Sequence, residues 1–266
     1  MTAFTPRNGW GPDGKRAALA ITFDNLGEAA WLEMDMWDGS PVGHHYTAAF
    51  VPKLIETLGD VPATYFVEAS NCAIYPDAIK QWAAAGNEVG IHAWRHEAWD
   101  RTPSAKRRDI LVRAIAAMRS LGIEPVGFRP PGGALPAEAW PEFEEAGLLY
   151  ASDLGKPGIK RVGGMVSLPF AWSNVDSYMI EDLAKPLRVM FGDPEEPFSL
   201  DEWRAALDRT IDDALAEGGQ RTIIFHPEFI GASNEKLAIV SKLIERAKAE
   251  DMWIARARDI AAFVAA

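Results

Sequence analysis

The chain has almost no cysteine: Cys72 is the single one among 266 residues. That excludes an intrachain disulfide and any zinc site built on several thiolates. Long apolar runs are missing too, and nothing approaches the roughly 20 residues that a membrane-spanning helix needs. The opening stretch, MTAFTPRNGWGPDGKR, mixes charge, proline and glycine without an apolar centre, so it does not read as a secretory signal. Basic clusters are scarce. Lys106-Arg107-Arg108 is the densest in a chain of net charge -11, which makes nucleic acid and anionic membrane poor partners. The expectation is a cytoplasmic protein acting on a neutral or modestly polar small molecule or carbohydrate, with homo-oligomerisation left open.

What is present is ordinary globular material, 48% hydrophobic and 24% charged, enough to bury a substantial core. Short apolar, strand-like runs alternate with helix-period segments. The strands are expected at 17–24, 63–68, 87–92, 125–129, 148–152, 165–170, 221–226 and 252–256. Helices are expected at 47–58, 76–85, 104–120, 136–146, 200–217 and 233–249, with Ser199 as an N-cap and Gly218-Gly219 as a stop. The proline-rich stretches 155–158 and 186–197 read as loops. This alternation predicts an α/β fold with a parallel sheet, and one domain over residues 1–266.

In parallel α/β folds, functional groups gather where strands end, and here the strand ends are polar. AITF runs into Asp24-Asn25, NEVGI into His92 with His96 beyond, VGF into Arg129-Pro130-Pro131-Gly132, and TIIF into His226. His92 and His96 face one way if a helical turn joins them, and two imidazoles so placed can hold a divalent metal. A third ligand would have to be an oxygen, and Asp24 or Asn25 could supply it. Asp24, the only carboxylate of the two, is the better general base for activating water, whereas Asn25 offers a neutral carbonyl oxygen. A buried Arg129 would need a carboxylate, and Asp24 is the natural partner. His226 is a candidate general acid toward a leaving nitrogen.

These segments, in this order, resemble the NodB-homology polysaccharide deacetylases, carbohydrate esterase family 4. The family's T-F-D-D motif corresponds to Thr22-Phe23-Asp24-Asn25, its H-S/T-x-x-H to His92-Ala93-Trp94-Arg95-His96, its R-x-P to Arg129-Pro130-Pro131, and its late strand ending in histidine to Ile223-Ile224-Phe225-His226. The matches cover about residues 17–230. The resemblance implies a distorted (β/α) barrel that hydrolyses an N-acyl amide with a divalent metal, zinc first among the candidates. Carried over by position, Asp24 is the base, His226 the acid and Arg129 the residue that orients the base. His92 and His96 hold the metal, and Asn25 stands where the family has a metal-binding aspartate. Pro130, Gly132, Trp172 and His45 are the candidate substrate contacts.

Departures from the family pattern leave the substrate open. Asn25 removes a negative ligand, and Ala93 lacks the usual hydroxyl. The segment Pro169-Phe170-Ala171-Trp172, with Asp176 following, and His96-Glu97 are similar to a branch without secretion signals, some of whose members hydrolyse small cyclic amides and ureides, in some cases without metal. Glu97 would then orient His96. The leading expectation is an N-deacetylase of an acylated sugar or polysaccharide. The alternatives are an imidase- or allantoinase-like hydrolase and an inactive carbohydrate-binding relative. Of the ten tryptophans, Trp31, Trp37, Trp94, Trp99 and Trp172 could line a sugar-stacking cleft or sit in the core.

Overall fold

The computed structural model describes residues 2–36, 39 and 41–266; Trp37, a candidate for sugar stacking, lies outside them. The strands are β1 (Thr2–Ala3), β2 (Ala18–Asp24), β3 (Thr64–Val67), β4 (Glu88–Ile91), β5 (Gly127–Phe128), β6 (Tyr150–Ala151), β7 (Lys160–Val162), β8 (Met165–Ser167), β9 (Gln220–Phe225) and β10 (Trp253–Ile254). Seven of them run parallel in the order β9-β2-β3-β4-β5-β6-β8. β10 joins the foot of β2 in parallel, while β7 and β1 add an antiparallel edge. Beyond β8 the chain crosses over, bridging Phe170 to Leu154 and Val175 to Ile224 beside β9. The result is a curled sheet of the distorted (β/α)-barrel type, as expected from the alternating pattern.

Every residue of β2 is buried, because strands on both sides and layers on both faces enclose it. That is why ALAITFD is a continuous apolar run and does not alternate. Helices Thr47–Leu58, Pro76–Ala84, Ser104–Ser120, Ala139–Glu145, Leu200–Glu217 and Asn234–Ala249 occupy the segments expected for them. Ser199 closes a capping box with Glu202, and Gly218 ends that helix at φ 59°. The core stacks Phe23 edge-on to Trp82, packs Phe225 against Trp203, and gathers Trp99, Phe128 and Phe143 under β5. Trp82, Trp99 and Trp203 are therefore core residues.

One expectation fails. The stretch 186–197 was expected to be a loop, yet Lys185–Phe191 is a helix. Pro186 sits in its first turn, where a missing N–H costs nothing, and Gly192 ends it at φ 80°. What holds this segment is Arg188, whose side chain is fully buried. Its guanidinium donates to the backbone oxygens of Tyr178 at 2.7 Å, Glu181 at 2.9 Å, Pro194 at 3.1 Å and Glu195 at 2.9 Å.

The barrel floor has no spare room beside Gly127. A Cβ there would lie 2.0 Å from the Tyr150 ring, and Tyr150 is pinned by donating its hydroxyl to the buried Glu88 at 2.8 Å. Gly127→Ala is accordingly expected to destabilise the protein by about 2 kcal/mol or more through overpacking, read as a lowered midpoint in chemical denaturation.

Candidate active site

The strand ends converge on one cavity of about 460 Å³. Asp24, Asn25, His92, His96, Arg129, Pro130, Gly132, Trp172 and His226 all line it. His45 does not belong to that lining. It is buried instead in the loop before helix Thr47–Leu58, its Nδ1 2.7 Å from Thr47 Oγ1 and its backbone N–H donating to the Tyr75 hydroxyl. Of the candidate substrate contacts, His45 is thus the one turned to holding a loop.

Asp24 and Arg129 form a buried ion pair, with Nη1 donating to Oδ1 at 2.6 Å. Arg129 also donates to Thr22 Oγ1 and Ser152 Oγ, each at 2.8 Å, and its guanidinium lies 4.2 Å from the centroid of the Phe66 ring. The cation is fully committed, so Asp24 is held in one orientation at the cavity wall. A buried charge demands such pairing.

At the end of the neighbouring strand β9, one residue past the Phe23–Phe225 pairing, a second pair has the opposite polarity. His226 Nδ1 lies 2.6 Å from Asp176 Oδ1, and the His226 backbone N–H donates to Asp176 Oδ2 at 2.6 Å. Asp176 is fully buried. Burial by itself lowers the imidazole's pKa, but the Asp176 charge and hydrogen bond, with Asp24 and Glu228 behind them, carry it up to about 9. With Nδ1 taken, Nε2 is the ring nitrogen left for a ligand. Asp176 received no role from sequence reasoning, because nothing local ties it to a histidine fifty residues on.

His92 and His96 meet with ring centroids 4.9 Å apart, but no helical turn joins them. Ala93 and His96 are both left-handed, at φ 60° and 80°, and this tight turn folds the second imidazole back onto the first. Glu97 accepts from the backbone N–H groups of Trp94 and Arg95, so it braces the turn and does not orient His96 as expected. His92 Nδ1 donates to Arg129 O at 2.9 Å, leaving Nε2 with its lone pair. Burial pulls both histidines down to about 3, so both are neutral donors at pH 7.

Two carboxylates stand here to which sequence reasoning gave no role. Glu68, directly after β3, offers an oxygen in a group with one nitrogen each of His92 and His96, all within 4.8 Å of one another; burial pushes its carboxyl up to about 8. Glu228 lines the cavity and accepts from Trp31 Nε1 at 2.6 Å, and burial raises its pKa as well. Both follow strands that end at this edge; the strand-end rule reaches Glu228 just after His226, and extended to 63–68 it reaches Glu68 as well. Asn25 itself sits at φ 62°, with its side-chain Oδ1 buried and unpartnered. The rest of the wall is largely apolar: Met34, Met36, Phe170, Leu183, Leu187 and Phe229 join Trp31 and Trp172.

Comparison with known proteins gives first a class. A chitooligosaccharide deacetylase from Bradyrhizobium sp. (strain ANU 289) is 26% identical over 174 residues, covering 61% of this chain and 72% of that one. A crystal structure of a candidate polysaccharide deacetylase from Mycobacterium smegmatis superposes with a TM-score of 0.82 at 27% identity, covering 98% of this chain and 94% of the other. An allantoinase, PuuE, superposes with a TM-score of 0.75 at 22% identity over 97% of this chain and 93% of its own, a likeness of fold alone. The class is that of enzymes that hydrolyse amides. The family follows from the sequence model described as polysaccharide deacetylase, which matches residues 12–151: the chain belongs to the polysaccharide deacetylase family. Among the described residues, no helix is long and apolar enough to cross a membrane.

Proposed function

We propose that this protein hydrolyses the C–N bond of a small amide, with Asp24 as general base and His226 as general acid. The observation that carries the reading is the pair of fixed groups in one cavity: a carboxylate locked by Arg129 and an imidazole locked by Asp176. Asp24 takes a proton from the attacking water, whose oxygen bonds to the acyl carbon. His226, protonated at neutral pH with Asp176 beside it, gives a proton to the nitrogen as the C–N bond breaks. The products are a carboxylic acid and an amine, and the two residues return to their starting states by exchanging a proton with solvent.

The residues present suit a divalent ion. His92 and His96 are neutral donors, and the buried oxygens Asn25 Oδ1 and Glu68 Oε1 have no hydrogen-bond partner. His92 and His96 would hold the ion, with zinc the leading candidate. When bound, such an ion polarises the substrate carbonyl and lowers the pKa of water.

A small substrate is favoured over a polymer by the walls. Each sugar hydroxyl taken from water needs a replacement partner, and the described lining away from the proposed catalytic groups offers chiefly Trp, Met, Leu and Phe side chains, with Glu228, Ser177, the Trp172 N–H and Tyr178, whose hydroxyl already donates to Asp193. A second reading, deacetylation of an N-acetylated sugar, is supported by the Bradyrhizobium chitooligosaccharide deacetylase. A panel of chitin oligomers, N-acetyl sugars, small apolar amides and cyclic imides or ureides separates the two. Higher kcat/KM on the small amides is expected. A preference for oligomers overturns the small-substrate reading, and binding of sugars with no turnover on any compound overturns the enzymatic one.

A further inference from the structure

Two neutral imidazoles and a carboxamide carry no negative charge. A divalent ion placed among them, in a site removed from water, would have no ligand to offset its charge. Asp24 is paired through Oδ1 with Arg129 at 2.6 Å and is the proposed base, and it does not belong to the group of ligand atoms that lie within 4.8 Å of one another. Glu228 accepts from Trp31 Nε1 and is likewise outside that group.

We infer that Glu68 is the anionic ligand of this site, a carboxylate supplied from the end of β3 in place of the one that position 25, just past β2, lacks. The inference rests on the metal reading given above. Several features of Glu68 point the same way. Its side chain is fully buried. Oε2 accepts from the backbone N–H of Leu26 at 3.1 Å and from Asn71 Nδ2 at 3.2 Å, which fixes the carboxylate directly behind Asn25. Oε1 has no partner at all. A buried carboxylate oxygen with nothing to bond is a costly arrangement in a folded protein. Within 4.8 Å of a Glu68 oxygen stand one nitrogen each of His92 and His96, which completes two imidazoles and a carboxylate, a familiar zinc donor set.

The strand register explains how the exchange works. β2 and β3 are adjacent and parallel, with Asp24 opposite Phe66. Asn25 and Glu68 therefore leave neighbouring strands at the same edge, and the Leu26 N–H joins them. A carboxylate reaching the ion from β3 needs the longer glutamate side chain. A carboxamide at position 25 then keeps two anions from crowding each other.

The test is a zinc titration of the full chain by equilibrium dialysis, starting from chelator-treated protein. Wild type is expected to bind one equivalent. Glu68→Gln keeps an oxygen for Leu26 and Asn71 but loses the charge, and should weaken binding by roughly 100-fold or more. Adding Asn25→Asp to that variant should recover at least about tenfold, by returning the carboxylate to β2. Unchanged affinity in Glu68→Gln overturns the inference. Wild type that binds no zinc and still hydrolyses amides overturns the metal reading itself, which is a different result. Should Glu68→Gln fail to fold, a zinc-soaked crystal of wild type decides. A Glu68 oxygen about 2.0–2.2 Å from zinc is the expected result, and a shell of His92, His96 and Asn25 without Glu68 refutes it.

Discussion

Asp24→Asn is expected to lower kcat by about 10³-fold or more and, in the same step, to destabilise the fold. The rate effect is what loss of a positioned general base costs, within the usual 10²- to 10⁴-fold range or beyond it. The stability effect has a separate origin. Arg129 is 1% exposed, and without the Asp24 charge its cation stays buried among neutral groups, the hydroxyls of Thr22 and Ser152 and the rings of Phe66 and Phe170. Breaking such a pair from one side costs about 3–5 kcal/mol. The two effects part company in the double variant Asp24→Asn/Arg129→Met. Removing the stranded cation should return part of the lost stability in urea denaturation while activity stays absent. If Asp24→Asn retains wild-type turnover, Asp24 is not the base.

The second large effect concerns pH. His226 stands above its ordinary value because the charge of Asp176 outweighs burial, which by itself acts downward. A raised histidine pKa means that the stability it contributes is fully present below about 6.5, its unfolded value, and is lost as pH rises through about 9. As an acid, His226 should likewise sustain kcat/KM up to that region and fail above it. In Asp176→Asn the raising charge is gone and burial dominates. The alkaline limb should then move below pH 7, with activity at pH 7.5 down by about 10²-fold or more. NMR titration of His226 in metal-free protein reads the value directly, and a pKa unmoved by Asp176→Asn would remove the basis for the assignment. A divalent ion at the neighbouring histidines acts downward on the same group, so the kinetic limb of loaded enzyme should fall at or below the value read in metal-free protein.

Much of this arrangement could be read from the chain. ALAITF, VGF and TIIF are apolar because parallel strands are covered on both faces, and the polar residue that ends each stands out for that reason. The Asp24–Arg129 pair was legible too, since a buried arginine requires a carboxylate. What escaped was decided by contacts distant in sequence. Asp176 gains its meaning from His226, and Glu68 from Leu26 and the two histidines. Position 93 gave no sign of the left-handed turn, because alanine seldom adopts it and only the surrounding packing enforces it. Prolines in 186–197 suggested a loop, though Pro186 at the first turn suits a helix as well.

Arg188 gives the cavity an unusual freedom to change. Every bond it makes goes to a backbone oxygen, so this anchor of the wall from Tyr178 to Glu195 holds whatever side chains are displayed at Leu183 and Leu187. Leu183 and Leu187, which face the cavity from this segment, can be exchanged for larger, smaller or polar residues while the frame keeps its course. The groups proposed for catalysis lie elsewhere, on strand ends fixed by their own partners. A chain built this way can acquire a new substrate by altering a few side chains on one segment, with neither the barrel nor the proton-transfer machinery having to evolve alongside.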